Sequence, residues 1–348
     1  YRRQRLISLK YDVYYHIQPG ELLIYELIPE KKRTRIGFPP NETSAVEAMM
    51  VRLTSGVTKA DLDTALGDMP QVCFQIFSHL EARHLFSQLD PGSQRGNPFL
   101  RQLEVFDSWN RSSRKPEELL KALQDASVLI IGAGGVGTAL ANLSTSVGIG
   151  TVYSVDFDTI EAHNLARQSL YTIADLGRHK AIVLAERLNA RGLNRVLPLV
   201  TQVTPDNVDQ LLDSCGSIAV ASGFPIPRTQ GNQQIISSFL RRGIPFLCIG
   251  EHDVGPFLRN TDDLERINHW MSSRFQLHET WLQQRRMRTR LEVHPSYAPS
   301  IEVVAAMAVD EIVRGVSGYA PVRLADGCYS LNPITGELRL MREGGGQV

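Results

Sequence analysis

Val128-Leu-Ile-Ile131 runs directly into Gly132-Ala-Gly-Gly-Val-Gly137, and this stretch decides the fold. The short apolar run predicts a buried strand, and the residues after the glycines have helical composition. A strand that turns through glycines into a helix points backbone N–H groups and a positive helix end at an anion. We therefore predict a phosphate-binding turn formed by four glycines, Gly132, Gly134, Gly135 and Gly137.

Strand-like and helix-like segments alternate beyond this turn. Strands are predicted at 127–131, 151–156, 196–200, 217–222 and 245–250. Helices are predicted at 135–147, 176–191, 228–242 and 300–314. Such alternation is typical of the α/β class, and it predicts a Rossmann-like, mostly parallel sheet with helices on both faces.

The N-terminal part of the chain has a different pattern. Two strand-like runs flank the turn Pro19-Gly20, and three short helical stretches follow between residues 43 and 85. Strands followed by three helices predict a small winged-helix-like domain. The predicted organisation is this domain at 1–90, a linker and lead-in helix at 91–125, the main α/β domain at 126–315 and a strand-containing tail at 316–348.

Composition narrows the class of protein. The chain has 348 residues and a formal net charge of +0, so no overall charge favours nucleic acid or an anionic membrane as partner. No apolar run approaches the roughly 20 residues of a membrane span. Its four cysteines are far apart and form no CxxC pair, so no zinc site is expected. We expect a cytoplasmic protein.

Charged and polar residues after the second predicted strand indicate which nucleotide would bind. Asp156, at the end of that strand, is placed to accept hydrogen bonds from ribose hydroxyls in NAD, FAD, S-adenosylmethionine or ATP. Asn164, Arg167 and Lys180 follow. A redox dinucleotide has one pyrophosphate and needs no such set, whereas a reacting triphosphate is stabilised by charge-assisted contacts. The pattern therefore favours ATP, with an NAD-dependent oxidoreductase as the remaining alternative of the same fold.

The combined motifs match a known family. The glycine cluster, Asp156-Phe-Asp158, Asn164-Leu-Ala-Arg167-Gln168 and Gly177-Arg-His-Lys180 together resemble the ThiF/MoeB-type enzymes related to ubiquitin-activating enzymes. The resemblance covers residues from about 95 to 315 and implies that this region binds ATP with Mg²⁺ and adenylates a carboxylate. It implies ribose binding by Asp156 and phosphate binding by Asn164, Arg167 and Lys180, with Asp158 and Gln168 in the same ATP site.

The resemblance also implies partners. Arg101 looks like the family's N-terminal arginine, which crosses a homodimer to the other subunit's ATP and acts in catalysis there. Residues 296–312 resemble a late helix of the subgroup that modifies ribosomally made peptides, typified by the microcin C adenylating enzymes. The N-terminal domain resembles the winged-helix leader-peptide recognition element of that subgroup, where a strand edge and a helix form a groove. A homodimer that binds a precursor peptide is implied.

Two features depart from the family pattern. The two CxxC pairs that bind zinc in many members are absent, and Gly223 stands where the family has a magnesium-binding aspartate. Either the metal is held by other acids or the nucleotide step is altered. Glu251 and Asp253, in the predicted loop after the fifth strand, are candidates for such a metal-binding or catalytic role, because that loop faces the ligand crevice of such sheets. His252 lies between them, and a polar surface loop is the alternative. The arginine-rich segment 285–290 is either a solvated helix face or a site for peptide carboxylates.

These features predict a peptide-modifying enzyme. No cysteine is placed to carry a thioester, and the zinc-less pattern resembles the pantocin A maturation type, which converts adjacent glutamates of a precursor peptide into a fused bicyclic core. The leading prediction is ATP-dependent activation of glutamate side-chain carboxylates, as acyl-adenylate or acyl-phosphate, for intramolecular condensation to a bicyclic antibiotic core. Two alternatives stay open: adenylation of a peptide's C-terminal residue, or a non-catalytic leader-recognition subunit for a separate cyclodehydratase.

Overall fold

The structure, a computed structural model, describes residues 6–27, 31–89, 96–110, 113–224, 230–274 and 296–342. The chain forms two compact units, one up to Lys121 and one from Ala122 onward. Within the described ranges, no helix is both long enough and apolar enough to cross a bilayer. The arginine-rich segment 285–290 lies outside the described residues.

The N-terminal unit combines two small antiparallel sheets with helices. Its elements are β1 (Leu6–Ile7), β2 (Val13–Gln18), β3 (Glu21–Glu26), β4 (Lys32–Gly37), α1 (Thr43–Ser55), β5 (Val57–Thr58), α2 (Lys59–Gly67), α3 (Gln71–Ala82), α4 (Leu100–Trp109) and α5 (Pro116–Asp125), the last of which spans the boundary. β1 pairs with β5, and the second sheet has the order β2-β3-β4. The predicted turn at Gly20, with φ of 78°, joins β2 to β3, and the three predicted helices are α1, α2 and α3.

The core of this unit lies between one face of the three-stranded sheet and the helices. Leu22 and Ile24, two residues apart on β3, point to the same side and are fully buried. Met50 of α1 and Ile76 of α3 belong to the same apolar cluster. The sheet therefore has one face in the core; on its other face Glu21 and Leu23 of β3 are also buried, whereas Arg33 and Arg35 of β4 are exposed.

The C-terminal unit is a single sheet covered by helices. Its elements are β6 (Ser127–Ile131), α6 (Gly135–Ser146), β7 (Thr151–Val155), α7 (Lys180–Asn189), β8 (Arg195–Leu199), α8 (Val208–Ser214), β9 (Val220–Gly223), α9 (Gln230–Arg241), β10 (Phe246–Ile249), β11 (Asp253–Leu258), α10 (Thr261–Arg274), α11 (Ala298–Ser317), β12 (Gly327–Leu331) and β13 (Leu338–Arg342). The strand order is β13-β12-β11-β10-β9-β6-β7-β8. Strands β6 to β10 pair in parallel, and β11 to β13 extend the sheet antiparallel.

Alternating residues of the central strand face opposite layers of this unit. Leu129 of β6 belongs to an apolar cluster with residues of α8, α9 and α10. Its neighbour Ile130 faces the other side, where it lies next to Gly137 in α6. On that side α6 packs on α11 through Ala139, Ile301 and Ala305. This arrangement confirms the predicted α/β class and the mostly parallel sheet.

Several elements were not predicted. The stretch expected to be a linker contains α4, whose Leu103 and Phe106 are fully buried. β4, α8, α10 and the antiparallel strand β11 were also missed, whereas β12 and β13 lie in the tail that was predicted to contain strands. In β11 the residues Val254 to Leu258 form a short apolar run. Such a run has no periodicity that distinguishes a buried strand from a buried helix segment, so the sequence does not show that a second strand turns back along β10.

Candidate nucleotide site

The candidate site lies at the carboxyl ends of the parallel strands. A cavity of about 190 Å³ opens there, lined by residues that follow β6, β7, β8 and β9, among them Gly132, Asp156, Phe157, Gln202 and Phe224. Ligands of open α/β sheets bind at this edge, where the strand order reverses. In this sheet the reversal lies beside β6, from which the chain continues to β7 on one side and later returns to β9 on the other.

Three of the four glycines of the turn, Gly132, Gly135 and Gly137, have a steric reason. Gly132 has φ of 99°, a conformation that favours glycine. A Cβ atom at Gly137 would lie 1.8 Å from the carbonyl oxygen of Gly132, and one at Gly135 would lie 2.6 Å from Cδ1 of Ile301. Gly134 is the N-cap of α6 and gives its N–H groups no side-chain cap. The first turn of α6 therefore packs tightly on β6 and leaves donors for an anion.

Ala133, inside the turn, is held by three hydrogen bonds, and a fourth bond fixes the Asp156 carboxylate that it contacts. Its N–H donates to Oδ2 of Asp156 at 2.6 Å, and the other carboxylate oxygen accepts from the N–H of Asp158 at 2.8 Å. Its carbonyl accepts from the hydroxyls of Thr138 at 3.0 Å and Tyr171 at 2.9 Å. Asp156 therefore shapes the turn, and each of its oxygens keeps a lone pair that a ribose hydroxyl can use.

Replacing Asp156 with alanine is expected to lower the free energy of unfolding by about 1–3 kcal/mol, because the buried N–H of Ala133 would lose its acceptor. Urea unfolding of the purified variant measures this. Asp206→Ala is the matched control, since Asp206 is an exposed aspartate of the same unit whose side chain has no hydrogen-bond or ion-pair partner among the described residues. Equal stability of Asp156→Ala and wild-type protein would contradict the structural role.

Tyr171 connects the two ends of the site. Its hydroxyl lies 2.9 Å from the carbonyl of Ala133 and 3.2 Å from the carbonyl of Lys180, the first residue of α7. Burial is the largest cause of a raised Tyr171 pKa, so the hydroxyl keeps its proton and donates. Tyr171 was not among the predicted site residues. A lone tyrosine between two charged motifs was the available signal, and it does not distinguish a structural hydroxyl from a surface one.

Lys180 is a buried cation at the start of a helix. The residue is 7% exposed, and its Nζ lies 2.8 Å from Oδ2 of Asp158. A cation is disfavoured at a helix N-terminus by the helix dipole, and burial adds to that cost. The ion pair with Asp158 offsets part of it, and an anionic phosphate would offset more. The placement fits phosphate binding better than structural stabilisation.

The remaining predicted ligands lie in the segment between β7 and α7. Asn164 is buried, and its Oδ1 accepts from the N–H of Glu161 at 2.9 Å, so it also closes the local turn. Arg167 donates to the carbonyl of His163 at 2.9 Å and lies beside Gly135. Gln168 is 2% exposed, and its Oε1 has no hydrogen-bond partner in the described part of the chain. An unpartnered buried amide oxygen beside the glycine turn fits a site that a ligand completes.

Asp175 anchors the loop that leads to Lys180. The hydroxyl of Thr172 is the main cause that lowers the pKa of Asp175 to about 2, the backbone N–H of Thr172 and Arg187 add to this, and burial opposes it. Oδ2 of Asp175 lies 2.7 Å from the hydroxyl oxygen of Thr172 and 3.0 Å from Nη2 of Arg187. This residue was also missed, because one aspartate in a polar loop carries no distinguishing pattern.

Because the folded pKa of Asp175 is depressed, its stabilisation is present above the unfolded value of about 4 and is lost as pH falls through about 2. Asp175→Asn is expected to have a lower free energy of unfolding than wild type at neutral pH. This difference in free energy should shrink between about pH 4 and about pH 2. Urea unfolding across this range measures the difference. If the free energies of unfolding of the variant and of wild type differ by the same amount down to about pH 2, the depressed pKa of Asp175 is wrong.

The three remaining catalytic candidates differ in placement. Glu251 and Asp253 flank the turn between β10 and β11, where Gly250 donates to the carbonyl of Asp253 at 2.8 Å. That turn follows Ile249, which is hydrogen-bonded to Phe224 of the cavity, so both acids lie at the site's edge of the sheet. Arg101 lies on α4 of the N-terminal unit, with a mostly exposed side chain 2.9 Å from Glu104.

The structure gives a physical reason for the missing acid at Gly223. A Cβ there would lie 2.7 Å from Cβ of Ile131, on the neighbouring strand. An aspartate therefore does not fit without moving β6 or β9. Among the residues that the structure describes, no group of three or more His, Cys, Asp or Glu side chains is arranged to hold a metal ion. The turn and its cations fit the phosphates of ATP, whereas these residues offer no dedicated Mg²⁺ cage.

Known proteins resemble this chain in sequence and in fold. The ThiF family model matches residues 108–345. A sulfur carrier protein adenylyltransferase from Thermus thermophilus is 35% identical over 127 residues, which are 35% of this chain and 47% of that protein, so the chain spans about half the length of this relative.

Two solved structures are similar in fold. MccB of E. coli with AMPCPP and MccA has a TM-score of 0.72 at 16% identity and covers 98% of both chains. PaaA has a TM-score of 0.64 at 22% identity, over 78% of this chain and 92% of that one. The family match covers well over half of the sequence and includes every motif of the nucleotide site, and the chain therefore belongs to the ThiF family.

Proposed function

We propose that this protein uses ATP to activate carboxylates of a ribosomally made precursor peptide. The observation that carries the proposal is the buried Lys180 at the start of α7, tied through Tyr171 to the glycine turn whose helix has no side-chain cap. Together these groups form a cationic, donor-rich site for a polyphosphate. The adenylyltransferase names of the family's curated relatives support the reaction class.

The chemistry follows from the weakness of a carboxylate as an electrophile. A peptide carboxylate oxygen attacks the α-phosphorus of ATP, and the bond to the pyrophosphate oxygen breaks. Lys180, Arg167 and the N–H groups of α6 stabilise the charge that develops on the leaving pyrophosphate. A backbone amide or a carbanion of the same peptide then attacks the acyl carbon, and AMP leaves. Ring closure inside one peptide needs no carrier cysteine.

Glutamate side chains are the proposed substrates, and the product is a bicyclic core. The peptide part of this proposal is supported by the similarity in fold to MccB, which was solved with the peptide MccA and covers nearly the whole of this chain. We assign leader binding to residues 1–90, which form part of the N-terminal unit. Glu251 and Asp253 are the proposed acid–base groups, because their turn lies at the site's edge. Deleting residues 1–90 should abolish peptide binding and leave ATP binding intact.

The proposed reaction is tested by mass. The protein is incubated with ATP, Mg²⁺ and the peptide encoded beside its gene, and the peptide is then weighed. Loss of water supports internal condensation, and a gain of the mass of an adenylyl group supports modification of the C-terminal residue. Binding without any change in mass supports the second candidate, a non-catalytic recognition subunit, which the steric exclusion of an acid at Gly223 favours.

We also propose a homodimer in which Arg101 acts at the partner's site. If it does, mixing Arg101→Ala with Lys180→Ala protein restores activity, because a mixed dimer has one site with both residues. About a quarter of the wild-type activity is expected after complete subunit exchange between equal amounts. Absence of any restoration after exchange would place Arg101 in its own subunit's site or in neither.

A further inference from the structure

The helix α11 begins beside the nucleotide site. A Cβ atom at Gly135 would lie 2.6 Å from Cδ1 of Ile301, in the first turn of α11, and 3.4 Å from the carbonyl oxygen of Arg167. Gly135 is itself the first residue of α6. The N-termini of two helices therefore lie side by side at the phosphate-binding turn. Their positive ends repel each other, and a bound anion offsets that repulsion.

The N-terminus of α11 has unpaired backbone donors. Its N-cap residue, Tyr297, provides no side-chain cap, and Pro299 has no N–H. Among the residues that the structure describes, the N–H groups of Ala298 and Ser300 have no acceptor. The N–H of Ile301 donates to the carbonyl of Tyr297 at 3.2 Å. Backbone donors are thus free at the end of α11 where the helix dipole favours an anion.

Two serine hydroxyls at the same place also lack a partner. Ser300 is 4% exposed, and its side chain leans toward the start of α11, because every Cα–Cβ bond of a helix tilts that way. The Oγ atom of Ser296, two residues before the helix, is buried. Within the described ranges neither hydroxyl has a hydrogen-bond partner. Buried polar groups are normally paired, so these hydroxyls beside the free N–H groups indicate a ligand that completes them.

The chemistry of these donors favours a carboxylate over a phosphate of ATP. The two N–H groups and the two hydroxyls are all neutral, whereas the cations Arg167 and Lys180 serve the leaving pyrophosphate. A carboxylate has about four lone-pair sites for such donors. Neutral donors orient it without a positive charge, which would make it a weaker nucleophile. A carboxylate held beside the first turn of α6 is also next to the phosphates that it must attack.

We propose that the N-terminus of α11, with the hydroxyls of Ser296 and Ser300, binds the side-chain carboxylate of the glutamate that is activated. The proposal rests on the proposed function, because that carboxylate is its substrate. The donors orient the carboxylate for its attack on the α-phosphorus of ATP. A phosphate of ATP is the competing ligand, and the two ligands predict different effects of the same substitutions.

The test uses the full-length protein saturated with Mg²⁺ and AMPCPP, an ATP analogue that is not cleaved between its α- and β-phosphates. Two probes are titrated by calorimetry, N-acetyl-Glu-Glu-amide and its neutral counterpart N-acetyl-Gln-Gln-amide. Ser300→Ala and Ser296→Ala should each bind the glutamate probe about tenfold more weakly than wild type, because a hydrogen bond to a charged group is lost. Affinity for AMPCPP should not change. Ser296→Thr keeps a hydroxyl and should bind the glutamate probe like wild type.

Ser144→Ala is the matched control. Ser144 is fully buried, and its Oγ also has no partner in the described part of the chain, but it lies in the last turn of α6. This variant should bind both probes like wild type. Thermal unfolding should show that neither Ser300→Ala nor Ser144→Ala is less stable than wild type, since no hydrogen bond is lost and alanine is the better helix former.

Two results overturn the proposal. One is an unchanged affinity of Ser296→Ala and Ser300→Ala for the glutamate probe. The other is an equal loss of affinity for AMPCPP in these variants, which would give the hydroxyls to a phosphate.

The same variants separate this proposal from the proposed function. Serine-dependent binding of the glutamate probe combined with no ATP-dependent change in the precursor refutes the proposed function and leaves the carboxylate site. Modification of the precursor at the wild-type rate by both serine variants refutes the carboxylate site and leaves the proposed function.

Discussion

Replacing Lys180 with alanine is expected to lower the rate of ATP-dependent peptide modification by about two to three orders of magnitude. Removing one preorganised group that stabilises developing charge has this effect in a water-excluded site. The Lys180 side chain is 9% exposed, so its charge is little screened by solvent. Isotope exchange between pyrophosphate and ATP measures the first step alone, and peptide mass measures the whole reaction.

The control is Lys59→Ala, because Lys59 is also the first residue of a helix but lies exposed on α2. That variant should keep the wild-type rate. Thermal unfolding of the two variants separates lost catalysis from lost folding. A Lys180→Ala variant that folds and exchanges pyrophosphate at the wild-type rate would remove Lys180 from the nucleotide site.

Replacing Gly137 with alanine is expected to destabilise the C-terminal unit by more than about 3 kcal/mol and to abolish ATP binding. The added Cβ would lie 1.8 Å from the carbonyl oxygen of Gly132, which is a backbone atom that no rotamer change can move. Either α6 separates from β6 or the turn changes shape. Urea unfolding and ATP titration of the variant measure the two effects.

Gly231→Ala is the matched control, since Gly231 also lies in a helix, α9. Among the described residues, its added Cβ would meet only Cγ of Pro205 at 3.9 Å, an ordinary contact. Alanine is the better helix former by about 0.5–1 kcal/mol, so this variant should be slightly more stable than wild type. Destabilisation of both variants to the same degree would show that the crowding at Gly137 is not the cause.

The parallel half of the sheet was predictable because its signals are local. Each strand from β6 to β10 overlaps a short, mostly apolar segment, and most helices between them have clear boundaries in the sequence. Among the antiparallel strands, β11 was missed, and β12 and β13 were expected only as unplaced strands of the tail, since β13 (Leu-Arg-Leu-Met-Arg) is defined by its pairing with β12 rather than by its own composition. α4 was missed because only two of its apolar residues, Leu103 and Phe106, are buried.

The candidate site was predicted as a set of ligands, and the structure adds the network that positions them. Motif spacing indicates Asp156 and Lys180, because both residue types are tied to phosphate and ribose chemistry. The structural use of Asp156 by Ala133, and the roles of Tyr171 and Asp175, depend on hydrogen bonds across the segment between β7 and α7. Those contacts arise only after the segment folds back on the turn.

The close approach of Gly223 to Ile131 also restricts how this sequence can change. A single substitution to aspartate at position 223 would place its Cβ 2.7 Å from that of Ile131, so the carboxylate would arrive together with a distorted sheet. Shortening Ile131 to alanine does not relieve this, because the clash is with the Cβ itself. An acid at this position therefore needs either a shift of β6 and β9 or a second substitution, Ile131→Gly, that removes the clashing Cβ.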